Sequence, residues 1–115
     1  MKVQFRNSYS SKVWVAVMYF SPDACAEYGR WETAGWWGIN PGQQVWAFST
    51  DNRYAAFYAE ADDGAIWSDG YGPMLVYTHA FRICLGLGQT GAIGSVGCRL
   101  IDTTGRDTIV NLKGA

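Results

Sequence analysis

The longest apolar stretch with a clear phase is "VWVAVMYF", residues 13 to 20. Taken as a strand, it sets Val13, Val15, Val17 and Tyr19 on one face and Trp14, Ala16, Met18 and Phe20 on the other, because strand side chains alternate. Both faces are apolar, the signature of a strand covered on both sides. Around it, turn residues cut the chain into short segments. "KVQF" precedes the polar run "NSYSSK", a strand from Arg30 to Ile39 and "QVWAFS" flank "NPGQ", and "NRYAAFYAEA" ends at "DDG". "AIW" leads into "SDGYGP", and "MLVYTHAFRICL" into the glycine-rich "GLGQTGAIGSVG". The final stretch, "CRLIDTTGRDTIVNL", predicts a hairpin joined around Thr104 and Gly105. One helical signal stands out: "SPDACAEYG" offers Ser21 as N-cap, Pro22 at the first helical position and Gly29 as C-cap. About eight short strands, with turns roughly 8 to 12 residues apart, predict a single all-β domain over residues 1–115. Its architecture is a compact antiparallel β-sandwich or flattened barrel with one short helical turn.

In "NPGQ", Pro41 sits where φ is fixed near −65° and Gly42 where φ must be positive, the type II arrangement. A hairpin follows, although type II turns splay strands and leave the register open. With Pro41 and Gly42 at the tip, Trp37 lies across from Trp46, and Trp31, Trp37, Ile39, Trp46 and Phe48 share a core face. Trp36 falls on the other face with Glu32, Ala34, Gly38, Asn40, Val45, Ala47 and Ser49. Its mostly small neighbours leave that indole either covered by the helical turn near Cys25 or exposed as a platform.

Composition agrees with a sheet protein: aromatic residues are 16% of the chain, with Trp 6, Tyr 7 and Phe 5, and there are 14 glycines. A length of 115 residues suffices for a packed core without staples. Charged residues are only 17% and the net charge is −1, which gives nucleic acid no electrostatic footprint and acidic membranes little attraction. No apolar run approaches the ~20 residues of a membrane-spanning helix. With no charged segment leading into an apolar one, no signal peptide is expected and cytoplasm is the default location, export by another route staying open. The three cysteines, Cys25, Cys84 and Cys98, argue against a full disulfide framework, though Cys84 and Cys98 flank the glycine-rich segment and pair in an oxidising compartment if at all.

The run "VQFRN", "VWVAVMYF", "WETAGWWGINPG", "YAAFYAEADDG" and "IWS" resembles the bacterial family catalogued as domain of unknown function 1036. The shared elements are an F-x-N opening, a W-x-x-x-G-W-W-x-x-x-P-G centre, and Y-A-E and W-S segments, spread over most of residues 3 to 68. Members often carry cysteines beside the opening asparagine and after the P-G turn, where this chain has Arg6 and Gln44. The resemblance implies a compact domain and transfers no activity.

"GLGQTG", residues 86 to 91, has the spacing G-x-G-x-x-G but is followed by "AIGSVG", which does not hold the helix a dinucleotide site needs. His79, the only histidine, is in phase with Leu75, Tyr77, Phe81 and Ile83, so a core role outweighs that of a base. Glu32, Glu60 and Asp69 lie near aromatics and raise the alternative of a small carboxylate-dependent hydrolase. "EADDG" and Asp69 concentrate carboxylates and offer Asp62 and Asp63 as candidate Ca²⁺ ligands, but the spacing fits no EF-hand and a solvated hairpin tip is the favoured account, so no cofactor is expected. The favoured expectation is a non-catalytic recognition module for a carbohydrate or protein ligand. Its ligand-binding residues are Trp36, Trp67 and Tyr71, with Glu32, Asn40, Asp69 and Arg53 as polar neighbours. A membrane-active β-protein inserting aromatics at the headgroup level is a further alternative.

Overall fold

The computed structural model describes residues 1–21, 31–76, 81–84 and 94–114. The predicted helical turn, the G-x-G-x-x-G segment, Cys25 and His79 lie outside the described residues. The described residues form ten strands in chain order: β1 (Lys2–Asn7), β2 (Val13–Phe20), β3 (Trp31–Ile39), β4 (Gln44–Ser49), β5 (Tyr54–Ala61), β6 (Ile66–Trp67), β7 (Tyr71–Val76), β8 (Phe81–Cys84), β9 (Gly94–Asp102) and β10 (Thr108–Leu112). A small sheet has the order β10-β1-β4, and a large one the order β7-β9-β5-β2-β3-β8 with β6 beside β5. The domain is therefore an all-β sandwich, and among the described residues the strands do not close into a barrel. All pairings are antiparallel except that of β1 with β10, which is parallel.

β2 occupies the middle of the large sheet, and its two apolar faces feed two cores. Val13, Val15, Val17 and Tyr19 pack with Val3 and Phe5 of β1, Phe48 of β4 and Leu112 of β10 in the layer between the sheets. Ala16 and Met18 pack on the opposite face with Ala56, Tyr58, Met74, Val76 and Cys98. Cys98 is a free, buried thiol, and burial pushes its pKa up to about 11. Its strand stands four places from β8, which carries Cys84. Four strand spacings amount to about 19 Å in an open sheet, well beyond disulfide reach.

Two predicted hairpins have the expected turns but not the expected partners. Gly42 has φ +82° and the Gln43 N–H donates to the Asn40 carbonyl at 3.0 Å, as a type II turn requires. Yet β3 pairs with β2 and β8 whereas β4 pairs with β1, so Trp37 does not face Trp46. The twist of this turn suits diverging strands better than paired ones, and the chain uses it to cross between sheets. Thr104 and Gly105 have φ +52° and +77°, with the Arg106 N–H donating to the Thr103 carbonyl. Here too the strands part: β9 stays in the large sheet and β10 crosses to lie along β1.

Buried polar side chains fasten these crossings. Asn7, fully buried, donates from Nδ2 to the carbonyls of Ser11 and Ile39, each at 2.8 Å, and accepts the Tyr9 N–H on Oδ1. Its backbone exchanges two further bonds with Gly42 and Gln43. The asparagine of the F-x-N opening and the P-G turn are thus one structural unit. Thr103, also fully buried, donates from Oγ1 to the Arg53 carbonyl at 2.8 Å near the other crossing.

The tryptophan pair sits on a β-bulge. Val15 is opposite Trp37 but Ala16 is opposite Gly35, so Trp36 is the extra residue on β3. Trp36 and Trp37 do face opposite ways, with Trp37 against the inter-sheet core and Trp36 against the outer cluster. The extra residue also reverses the phase upstream. Trp31, opposite Phe20, joins the outer cluster, while Glu32, opposite Tyr19, turns toward the inter-sheet layer. This is the reverse of strict alternation, which put Trp31 with Trp37 and Glu32 with Trp36.

Candidate functional site: a cleft at the sheet edge

Where β4, the edge strand of the small sheet, passes β3 of the large one, a cleft of 370 Å³ opens. Tyr19, Phe20 and Ser21 line it from the end of β2, Ala34 and Trp37 from β3, Trp46, Ala47, Phe48 and Ser49 from β4, and Arg82 from β8. The volume lies at the lower end of the ~300 to 1,000 Å³ common for small-molecule sites.

Trp46 owes its position to a second bulge. Phe48 is opposite Val3 and Trp46 opposite Gln4, which leaves Ala47 as the extra residue. Phe48 therefore points into the core, 3% exposed, while Trp46 points out at 55%. The other five tryptophans are buried or half-buried. Trp46 was expected in the core on the hairpin register; the sheet crossing and this bulge put it at the surface.

Behind the cleft wall lies a charged group. Glu32 is 6% exposed, and the Tyr19 hydroxyl donates to its Oε2. Arg82 Nε stands 3.1 Å from Oε1, with the arginine side chain 71% exposed. Tyr19 is stacked on Phe48 with centroids 4.6 Å apart. Burial, and then the bond to Glu32, pushes the Tyr19 pKa up to about 12. The hydrogen bond to Glu32 is also the main reason that Arg82 holds its proton more firmly than usual. The result is a fixed guanidinium at the surface with its counter-charge sealed behind it.

Of the residues expected to bind ligand, only Glu32 belongs to this cleft, as a support for Arg82. Trp36 is half-buried, with the Tyr58 and Phe81 rings each edge-on at 6.1 Å, so it is packing and not an open platform. Trp67 is 5% exposed, packs edge-on against Tyr9 and donates its indole N–H to the Lys113 carbonyl; it is a core residue, not a surface ring. Tyr71 is exposed on β7 at the far edge of the large sheet. Arg53 makes a bidentate pair with Asp102 at 2.8 and 2.9 Å. Asn40 belongs to the type II turn at the opposite end of the sheet, about 20 Å away along β2. Asp69 accepts its neighbour Gly70 N–H. These side chains do not converge.

The carboxylates have structural partners. Asp62 accepts the Trp14 indole N–H at 2.9 Å, and Asp63 accepts the Tyr9 hydroxyl and the Ala65 N–H. Among the described residues no group of three potential metal ligands gathers. Glu60, opposite Trp14, and Glu32, opposite Tyr19, lie on opposite faces of the large sheet, so they do not form an acid/base pair. Two features of the sequence do point to the cleft: the lone cation Arg82 within "HAFRICL", and "VWAF", where alternation fails.

No protein-family model, no curated protein and no solved structure matches this chain.

Proposed function

We propose that the protein is a non-catalytic recognition module that binds a carbohydrate in the cleft between β3 and β4. The observation that carries this reading is Trp46: it is the one tryptophan exposed to solvent, and it lines a concavity also lined by Trp37, Phe20 and Phe48. An exposed indole gives a sugar ring a flat apolar surface for its C–H face, and Ser21, Ser49 and Arg82 supply hydrogen-bonding groups for hydroxyls. The cleft volume suits a sugar unit better than a protein surface, which buries roughly 800 Å² per partner. Glu32 and Glu60 stand on opposite faces of the large sheet and so do not act on one bond as an acid/base pair.

A glycan array followed by tryptophan fluorescence titration tests the reading. Binding accompanied by a change in Trp46 emission, and lost in Trp46→Ala, is the expected result. No glycan bound, or full binding by Trp46→Ala, contradicts it.

A further inference from the structure

The charge distribution around Trp46 narrows the ligand class, on the premise that the cleft is the binding site. Among the described residues Arg82 is the only charged one lining the cleft. Its Glu32 partner is 8% exposed at the side chain against 71% for Arg82, so a ligand entering the cleft meets the cation and not the anion. An arginine has five N–H donors in a planar fork, more than Glu32 and Tyr19 take up.

The small sheet continues this environment. Register places Trp46, Gln4 and Ile109 in one row across β4, β1 and β10, none of them buried. Gln44 donates from Nε2 to Gln4 Oε1 at 3.1 Å beside that row, and Lys2 and Arg6 are exposed on the same strand as Gln4. The three strands of this sheet contain no Asp or Glu. Asp51 and Asp107 flank it in turns at the Lys2 end, where Asp107 accepts the Lys2 backbone N–H. On the strands of this sheet the described charged side chains, Lys2 and Arg6, are both cations, and Arg82 adds a third at the cleft.

We propose that the ligand is an acidic carbohydrate, its ring laid on Trp46 and its carboxylate gripped by Arg82. The Glu32 pair holds the guanidinium in place before the ligand arrives, which cuts the ordering cost of binding. A planar carboxylate matches the arginine fork in a way a hydroxyl does not.

The test compares an oligogalacturonate with the same oligomer after carboxyl reduction, and with an oligoglutamate peptide, by fluorescence titration and calorimetry. The wild type is expected to bind the uronate about tenfold or more tightly than the reduced oligomer, with affinity for the uronate alone falling as salt rises. Arg82→Gln should remove that preference while keeping the weaker binding of the reduced oligomer. Because this variant leaves Glu32 buried without its cation, the double variant Glu32→Gln/Arg82→Gln, checked for folding by circular dichroism, is measured beside it. Equal wild-type affinity for uronate and reduced oligomer, abolished for both by Trp46→Ala, overturns the acidic preference while carbohydrate recognition stands. Oligoglutamate bound as tightly as the uronate overturns the sugar ring's part in it. No saccharide bound at all overturns the recognition reading and this inference together.

Discussion

At the scale of single residues, exposure separates the tryptophans that build the fold from the one available to a partner. Trp46, more than half exposed, should be replaceable by Ala with less than about 0.5 kcal/mol change in stability, in line with surface substitutions elsewhere. Phe5, fully buried and edge-on to Phe57 at 5.4 Å, is the contrast: Phe5→Ala should cost about 3 to 5 kcal/mol in urea unfolding. Two tyrosines give the molecule an alkaline limit. Burial, then hydrogen bonds to Glu32 and Glu60 respectively, raises Tyr19 and Tyr58 from 10.0 to about 12. A pKa raised on folding means that the folded state holds the proton more tightly. That contribution is complete below pH 10 and is lost as pH rises through 10 toward 12. Urea unfolding at a series of alkaline pH values should show stability falling across that window, with a shallower fall in Tyr19→Phe. An unchanged profile in the variant would remove Tyr19 from the explanation.

Elements show where the sequence was legible. The strands of the centre, β2 above all, announced themselves because both faces follow a strict apolar pattern, and the turns at Pro41–Gly42 and Thr104–Gly105 did so because only certain residues accept their dihedrals. Strand partners were another matter: a turn reports its own four residues, whereas β10 pairs with β1 from the far end of the chain. The two bulges hid the site. At Trp36 and at Ala47 a single extra residue reverses the alternation; the unbroken apolar run "VWAF" shows that alternation fails in β4 but not which residue is the extra one. The cleft accordingly carries Trp46 and not Trp36, with Glu32 in an indirect role behind Arg82. Close approach between elements adds a sharp prediction at Gly97 of β9. A Cβ there would stand 2.0 Å from the Asp69 carbonyl oxygen, a backbone atom of the segment before β7. Gly97→Ala must displace that segment and should cost at least about 2 kcal/mol by urea unfolding, with altered amide shifts at residues 68 to 70.

For the whole molecule, the small sheet is bound to the large one by four crossings, residues 8–12, 40–43, 50–53 and 103–107. Asn7 ties two of them, through side-chain bonds to Tyr9, Ser11 and the Ile39 end of β3 and backbone bonds to Gly42 and Gln43. Asn7→Ala leaves the Ser11 and Ile39 carbonyls and the Tyr9 N–H without those partners. The expected loss is about 2 to 4 kcal/mol with one cooperative transition retained, since both sheets share the core of Val3, Phe5, Val15 and Phe48. The cleft exists only because the sheets are held at this offset, with β4 passing β3 and Arg82 reaching in from β8. The same variant should therefore weaken ligand binding without touching the ligand.

Whether that cleft is where the protein meets its ligand is read most directly from the six indole N–H resonances in a ¹⁵N–¹H spectrum during titration with oligogalacturonate. Saturable shifts of Trp46 and Trp37 are expected, with the Arg82 Nε–H moving alongside them and Trp14, Trp36 and Trp67 still. Saturable shifts centred on Trp36 or Trp14, with Trp46 unmoved, would contradict binding in the cleft.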